Sequence, residues 1–392
     1  MNQTSTLKSK EDSTLVYVTT QAMSLVWGKV PNSFQREVIP HIISMHHCQN
    51  DAKAILLVQG TGGGKSMVYQ CSGTILTGVA LVVESTLSLS SDQCSKIKNA
   101  SNAHGPVKAI QLDTITSTKM ISLVTNNVKQ MEDDADDSTL FMFSSPENML
   151  KPCWKSLFEF LTLSKILSMV VVDEAHQFVT FGSSFRSNFL LLKEHLFSKL
   201  ILSHHCDKHE QLLRVPALFM TATLNEELLD HLQLMTDMCF YPHHVFWATK
   251  ENFSRRAVKI ECLCSHQKKK LFKLALQNHL GDNLNSKAIV CSSTSKCIEI
   301  ICEDIDSYMN YPDTIDGDTI MIRGDLESDW KFVSASEFTK SQSDIATMIS
   351  SNQHYPRMLC ATSGCIGTGL DSDNVTLVCR DGFPNRILDF IQ

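Results

Sequence analysis

Seven consecutive residues limit the fold of this chain more than any others: Gly60-Thr61-Gly62-Gly63-Gly64-Lys65-Ser66. They follow a short apolar run, Ala54–Val58, and precede a stretch compatible with a helix from Met67. A strand, a glycine-rich turn and a helix, in that order, make a phosphate-binding loop. The glycines let backbone N–H groups converge on an anion with no Cβ in the way, and the helix N-terminus adds its positive dipole end. In such a loop Lys65 reaches the β- and γ-phosphates of a nucleotide, and the Ser66 hydroxyl is offered to Mg²⁺.

A loop of this kind needs a parallel sheet around it, and the sequence supplies one. Ala54–Val58, Val79–Val83, Leu140–Phe143, Met169–Val172 and Ala217–Met220 are continuous apolar runs, not alternating ones, as strands buried on both faces require. Ala288–Cys291, Thr319–Ile322, Met358–Ala361 and Val375–Val378 form a second series. Helical segments alternate with both, which predicts an α/β fold with helices on both sheet faces. With 392 residues, two domains are expected. A polar stretch separates the two series. The expected boundaries are a tail over 1–19, a first domain over 20–248, a linker over 249–256 and a second domain over 257–392.

The fourth strand of the first series delivers Asp173 and Glu174 at its carboxyl end, where ligands bind in open α/β sheets. Asp173 is suited to hold Mg²⁺, directly or through water. Glu174 is suited to orient and deprotonate an attacking water.

Bulk composition removes several alternatives. No run of about 18 apolar residues occurs, so no membrane span is expected. The 14 cysteines are scattered and no Cys-x-x-Cys is present, so no zinc site is expected. They read as reduced residues of an intracellular protein. Histidine pairs at 46–47, 204–205 and 243–244 have no metal-type partners in sequence and are assigned ordinary surface or core roles. The net charge of −7 is not the signature of a strongly basic nucleic-acid binder, although a local basic groove is compatible with it.

With both motifs placed, the chain resembles superfamily 2 helicases, and within them the RecQ-like DNA helicases, over about residues 22–392. Val82–Gln93 is similar to the family's next strand and DNA-contacting segment, with Ser85 in place of its usual proline. Phe143-Ser144-Ser145-Pro146-Glu147 resembles its Thr-Pro-Glu motif. Phe178 to Arg186 resembles the aromatic-rich loop that couples hydrolysis to single-stranded DNA. There Phe181, Phe185 and Arg186 offer stacking faces and charge, while core packing is the other use of such aromatics. Phe181 stands where the family has Trp, and Ser183-Ser184 replace a His-Asp pair. Thr221-Ala222-Thr223 matches the coupling motif, and His176 belongs to the same machinery. Gln35 is a candidate adenine reader, since one carboxamide pairs with both a donor and an acceptor; surface polarity is the alternative. Phe253-Ser254-Arg255 resembles the segment leading into the second domain. In that domain Ala361 to Asp371 is similar to motif V, with Gly369 and Asp371 assigned to the nucleotide.

The resemblance implies two RecA-like domains with parallel sheets, the P-loop NTPase fold, with ATP and Mg²⁺ as cofactors. It also implies DNA as partner (single strands and duplex junctions), 3′-to-5′ movement and a nuclear location. The sequence ends at Gln392, where the family continues into motif VI with its arginine finger. The second domain is therefore expected to be incomplete. That leaves two further readings open: an ATP- and nucleic-acid-binding fragment with little hydrolysis, and an RNA helicase.

Overall fold

In a computed structural model, the chain divides into two compact units, residues 1–255 and 256–392. The structure describes residues 2–47, 54–60, 62–84, 87–104, 107–133, 138–177, 191–198, 215–223 and 226–247 of the first. In the second it describes 287–292, 296, 300, 314–315, 318–319, 330–333, 358–362 and 375–381.

The first unit is built on a seven-stranded sheet in the order β3-β4-β2-β5-β6-β1-β7. Its strands are β1 (Ala54–Val58), β2 (Gly78–Val83), β3 (Val107–Gln111), β4 (Thr139–Ser144), β5 (Leu167–Val172), β6 (Ala217–Thr221) and β7 (Val245–Trp247). Every pairing is parallel. Successive residues of a strand point to opposite faces, so each central strand feeds two cores. Leu56, Leu81, Met142, Val170 and Phe219 join one, and Ile55, Ala80, Phe141, Val171 and Leu218 join the other. That double burial is why these runs are uninterrupted by polar residues.

Helices α1 (Asn2–Trp27), α2 (Ser33–His47), α3 (Lys65–Leu76) and α4 (Leu87–His104) cover the second face, through residues such as Met23, Ile39, Val68 and Ile97. The first face is covered by α5 (Ser117–Asp133), α7 (Cys153–Leu163), a π-helical turn at Lys193–Phe197 and α8 (Glu226–Thr236). The short α6 (Pro146–Met149) follows β4 and is capped by Ser145, whose hydroxyl accepts from the Asn148 amide at 3.2 Å.

Two expectations change here. The segment assigned to a tail lies within α1, which is part of the packed unit: Thr19 is fully buried and Leu15 packs on the core of that face. The helix was not legible because its apolar residues are not gathered on one stripe. Strands β3 and β7 were not anticipated either. Both are sheet edges; β3 alternates buried and half-buried residues, and β7 spans three residues. Beside β7, His41 of α2 and His244 are hydrogen-bonded through Nε2 and Nδ1, with rings 4.7 Å apart, and His243 packs on His244 at 4.0 Å.

The second unit carries a four-stranded parallel sheet, ordered β11 (Trp330–Val333), β12 (Met358–Thr362), β8 (Lys287–Ser292) and β13 (Val375–Asp381). Three of the four expected strands are present. Of the fourth, only Thr319 is described: in β10 (Asp318–Thr319) it pairs antiparallel with Thr314 of β9 (Thr314–Ile315), and residues 320–322 lie outside the described residues. Among the described residues, no helix is long and apolar enough to cross a membrane.

Candidate nucleotide site

The site forms at the carboxyl ends of β1, β2, β5 and β6. Leaving β1, the chain turns through Gly60, with the Gly63 amide donating to the Gly60 carbonyl at 3.0 Å, and enters α3 at Lys65. Gly64 is the N-cap of α3 and is left-handed, with φ 84° and ψ 26°. An L-residue pays for that conformation, and glycine does not. Gly63 is needed for a different reason: a Cβ there would lie 2.1 Å from Nε2 of Gln59.

Gln59, which sequence reasoning passed over, organises this loop. Its carboxamide donates to the Gly63 carbonyl at 3.2 Å, and its own carbonyl accepts from Lys65 Nζ at 3.0 Å. Its backbone amide donates to the Thr221 carbonyl at 3.0 Å. Lys65 is thus held inside the loop, poised to exchange one carbonyl for phosphate oxygens. The signal for Gln59 lay in its position, the first polar residue after an apolar strand.

Gln35 lies against the same loop. It forms a reciprocal cap at the start of α2. Its amide donates to Asn32 Oδ1 at 2.9 Å, and its Oε1 accepts from the Asn32 amide at 3.0 Å. Its Nε2 donates to the Gly64 carbonyl at 3.1 Å. One carboxamide hydrogen remains for a ligand, so the structure gives Gln35 the role of a strut between α2 and the phosphate loop.

Asp173 and Glu174 follow β5. The Asp173 amide donates to the Val83 carbonyl at 3.0 Å, and its Oδ1 accepts from the Glu174 amide at 2.8 Å. Glu174 is left-handed (φ 51°), a conformation that costs a non-glycine residue about 1–3 kcal/mol and is characteristic of functional sites. Burial raises the Asp173 pKa to about 6, with the Glu174 charge adding to the rise and Lys65 opposing it. For Glu174 burial also pushes upward, but the hydrogen bond and charge of His176, with Lys65, outweigh it and leave the carboxyl below its ordinary range. One of the pair thus favours a proton or cation, and its neighbour stays ionised as a base must.

His176 links this turn to β6. Its Nδ1 lies 3.2 Å from Glu174 Oε2 and 3.0 Å from Thr221 Oγ1. Thr221 donates its hydroxyl proton to the Thr223 carbonyl at 3.2 Å, and its oxygen accepts from the Thr223 amide at 3.2 Å. With the Thr221 proton given to Thr223, its contact with His176 assigns a proton to Nδ1, which donates to the Thr221 hydroxyl and lies beside the Glu174 carboxylate. The Ala175 amide donates to the Met220 carbonyl at 2.8 Å, fixing the turn against β6.

The residues present fit a magnesium ion. Asp173 and the Ser66 side chain would be its oxygen donors, and a nearly buried carboxyl with a raised proton affinity is one that a cation would stabilise. Glu84, at the end of β2, was also missed. It is fully buried and its carboxyl is held well above the usual range by burial, then by Asp173, Glu174 and Asp92. An acidic residue directly after the apolar run Val79–Val83 was the available signal.

Of the sequence-assigned residues, the structure brings together Gln35, Gly60, Gly62, Gly63, Gly64, Lys65, Ser66, Asp173, Glu174, His176, Thr221 and Thr223. Thr61, Phe181, Phe185, Arg186, Gly369 and Asp371 lie outside the described residues.

Residues 32–231 match the DEAD/DEAH box helicase family. The chain is 24% identical over 362 residues to the probable ATP-dependent DNA helicase RecS of Bacillus subtilis, covering 91% of this chain and 60% of that protein. It is 26% identical over 254 residues to the ATP-dependent DNA helicase RecQ of Pasteurella multocida, covering 64% of this chain and 34% of that one. The chain thus spans less than two thirds of the length of these relatives. Among solved structures, Mss116p bound to single-stranded RNA and AMP-PNP shares the fold. Its TM-score is 0.65 at 13% identity, over 95% of this chain and 68% of that one.

Proposed function

The chain belongs to the DEAD/DEAH box helicase family, and on that premise we propose that it is an ATP-dependent DNA helicase of the RecQ type, using hydrolysis to move 3′ to 5′ along single-stranded DNA and open duplexes. The observation that carries a motor, rather than a passive nucleotide binder, is a continuous line of polar contacts, hydrogen-bonded as far as His176 and closed by a 3.2 Å approach of its Nδ1 to Glu174 Oε2. It runs from Lys65 through Gln59 to Thr221, and from Thr221 through His176 to Glu174. A change at the phosphates is thereby felt at β6 and at the hydrolytic base together. RecS and RecQ, named as DNA helicases, support DNA over RNA.

In the proposed mechanism Lys65 releases the Gln59 carbonyl and engages phosphate oxygens beside the amides of Gly62–Gly64. Bound through Ser66 and Asp173, magnesium would supply charge neutralisation at those oxygens. Glu174 orients the attacking water and takes its proton. His176, 3.2 Å from that carboxylate, passes the change to Thr221.

The test is phosphate release by the full chain with single-stranded DNA, with single-stranded RNA and without either. DNA-stimulated release, abolished by Lys65→Ala and by Glu174→Gln, is the expected result. Stimulation by RNA in preference to DNA would overturn the DNA assignment. Normal nucleotide binding with no release under any condition would leave an ATP- and nucleic-acid-binding protein instead of an enzyme.

A further inference from the structure

Strands β2 and β5 end level. Their register pairs Val83 with Val172, so the next residues, Glu84 and Asp173, stand opposite one another. Val82 and Val171 pack in the same core as Val68 and Tyr69 of α3. Two residues further on, Glu84 and Asp173 therefore leave the sheet on that same face, the one carrying the phosphate loop. With neighbouring strands about 4.8 Å apart, the two carboxyl-bearing residues are side by side.

Glu84 is unlike an ordinary strand-end acid. It is fully buried, and among the described residues neither carboxyl oxygen has a hydrogen-bond partner. Leaving a buried polar group unmatched costs about 1–3 kcal/mol, and more for a charged one. Its surroundings add to that cost, since Asp173, Glu174 and Asp92 all bear on it with negative charge. An apolar residue would be the cheaper occupant unless the side chain is matched in another state of the site. Two buried carboxyls side by side, with the negative charge of Glu174 added to them, call for a cation.

We propose that Glu84 is a third carboxylate of the divalent-cation site, accepting hydrogen bonds from the ion's water shell while Asp173 and Ser66 hold the ion. This rests on the nucleotide site proposed above. The contact runs through water because, among the described residues, no three His, Cys, Asp or Glu side chains are grouped to ligate an ion directly. Magnesium sheds its waters reluctantly and keeps several in nucleotide sites. Those waters point hydrogens outward, and a carboxylate whose two oxygens are otherwise unmatched is their natural acceptor.

The experiment is a Mn²⁺ titration of the ADP-bound full chain without nucleic acid, read by the electron paramagnetic resonance of free Mn²⁺. Wild type is compared with Glu84→Gln, Glu84→Ser and Asp173→Asn, alongside ADP affinity in EDTA. Loss of an outer-shell partner weakens metal binding 10–100-fold in other sites, so Glu84→Gln should weaken Mn²⁺ about tenfold and leave ADP affinity in EDTA within about twofold. Glu84→Ser should show the same split and serves if the glutamine variant does not fold. Wild-type Mn²⁺ affinity in the Glu84 variants, with affinity lost in Asp173→Asn, would overturn the role of Glu84 alone. Wild-type affinity in Asp173→Asn would overturn the cation site on which it rests.

Discussion

Replacing Gly64 by alanine tests whether the phosphate loop is held ready by its backbone. Two costs are legible. The residue sits at φ 84°, and the left-handed region costs an L-residue about 1–2 kcal/mol. The new Cβ would also lie 2.5 Å from Nε2 of Gln35. That atom is the end of a flexible side chain, so it can withdraw, but only by giving up its hydrogen bond to the Gly64 carbonyl, about 1 kcal/mol. The sum of roughly 2–3 kcal/mol corresponds to about 30–150-fold in an equilibrium constant. The unliganded loop is free to relax out of the left-handed conformation, so the cost falls on nucleotide binding, and Gly64→Ala should weaken binding of a fluorescent ATP analogue by that factor. A double-mutant cycle separates the two costs. In a Gln35→Ala background the steric part is already gone, so Gly64→Ala should cost only the backbone part, about 1–2 kcal/mol. Nucleotide affinity within about twofold of wild type would refute the reasoning, because the left-handed cost alone exceeds that. Full additivity of the two substitutions would refute the contact with Gln35.

Other outcomes follow from the same geometry. His176→Ala removes the hydrogen bond to Thr221, worth about 0.5–1.5 kcal/mol, so DNA-stimulated turnover should fall about 2–12-fold with nucleotide affinity unchanged. Steady-state hydrolysis with and without DNA reads this, and an unchanged stimulation ratio would remove His176 from the coupling path. The pH dependence of stability has two opposed parts. Asp173 binds a proton more readily folded than unfolded, so its contribution is full below about 3.8 and is lost as pH rises through about 6. Burial, then His41 and His243, lowers His244 to about 4, so its contribution is full above about 6.5 and is lost as pH falls through about 4. Melting curves between pH 4 and 7, without nucleotide or divalent ion, should flatten on the acid side for His244→Gln. For Asp173→Asn the loss of stability between pH 4 and 6 should shrink. Unaltered slopes would contradict the respective assignment.

The parts of the fold written as uninterrupted apolar runs were legible, because a strand buried on both faces tolerates little else. Edge strands β3 and β7 were not: β3 carries the polar Lys108 and Gln111 that a half-covered edge permits, and β7 is apolar but only three residues long. The site divides in the same way. Lys65, Ser66, Asp173 and Glu174 announce themselves, because their chemistry demands fixed residue types at fixed places. Gln59 and Glu84 do not. Each is a single polar residue closing an apolar strand, and its use depends on strands far away in sequence: Gln59 needs Thr221, and Glu84 needs the register that sets it opposite Asp173. Gln35 was singled out only as a candidate adenine contact. A glutamine three residues after Asn32 is also the pattern of a helix cap, and the structure shows that cap.

The order of strands in the first unit has a consequence for how the protein is made. β1, which carries the phosphate loop, pairs only with β6 and β7, the last two strands of that sheet to be synthesised. While β2 to β5 emerge they can pair among themselves, but β1 must wait at the start of the chain with its apolar residues unmatched. β6 then enters between β1 and β5, carrying Thr221 with it. Closing so long a loop is slow, and the waiting strand is exposed to mispairing meanwhile. The nucleotide site therefore comes together late on the ribosome: its two halves, at β1 and at β2 and β5, stay apart until β6 has entered between them.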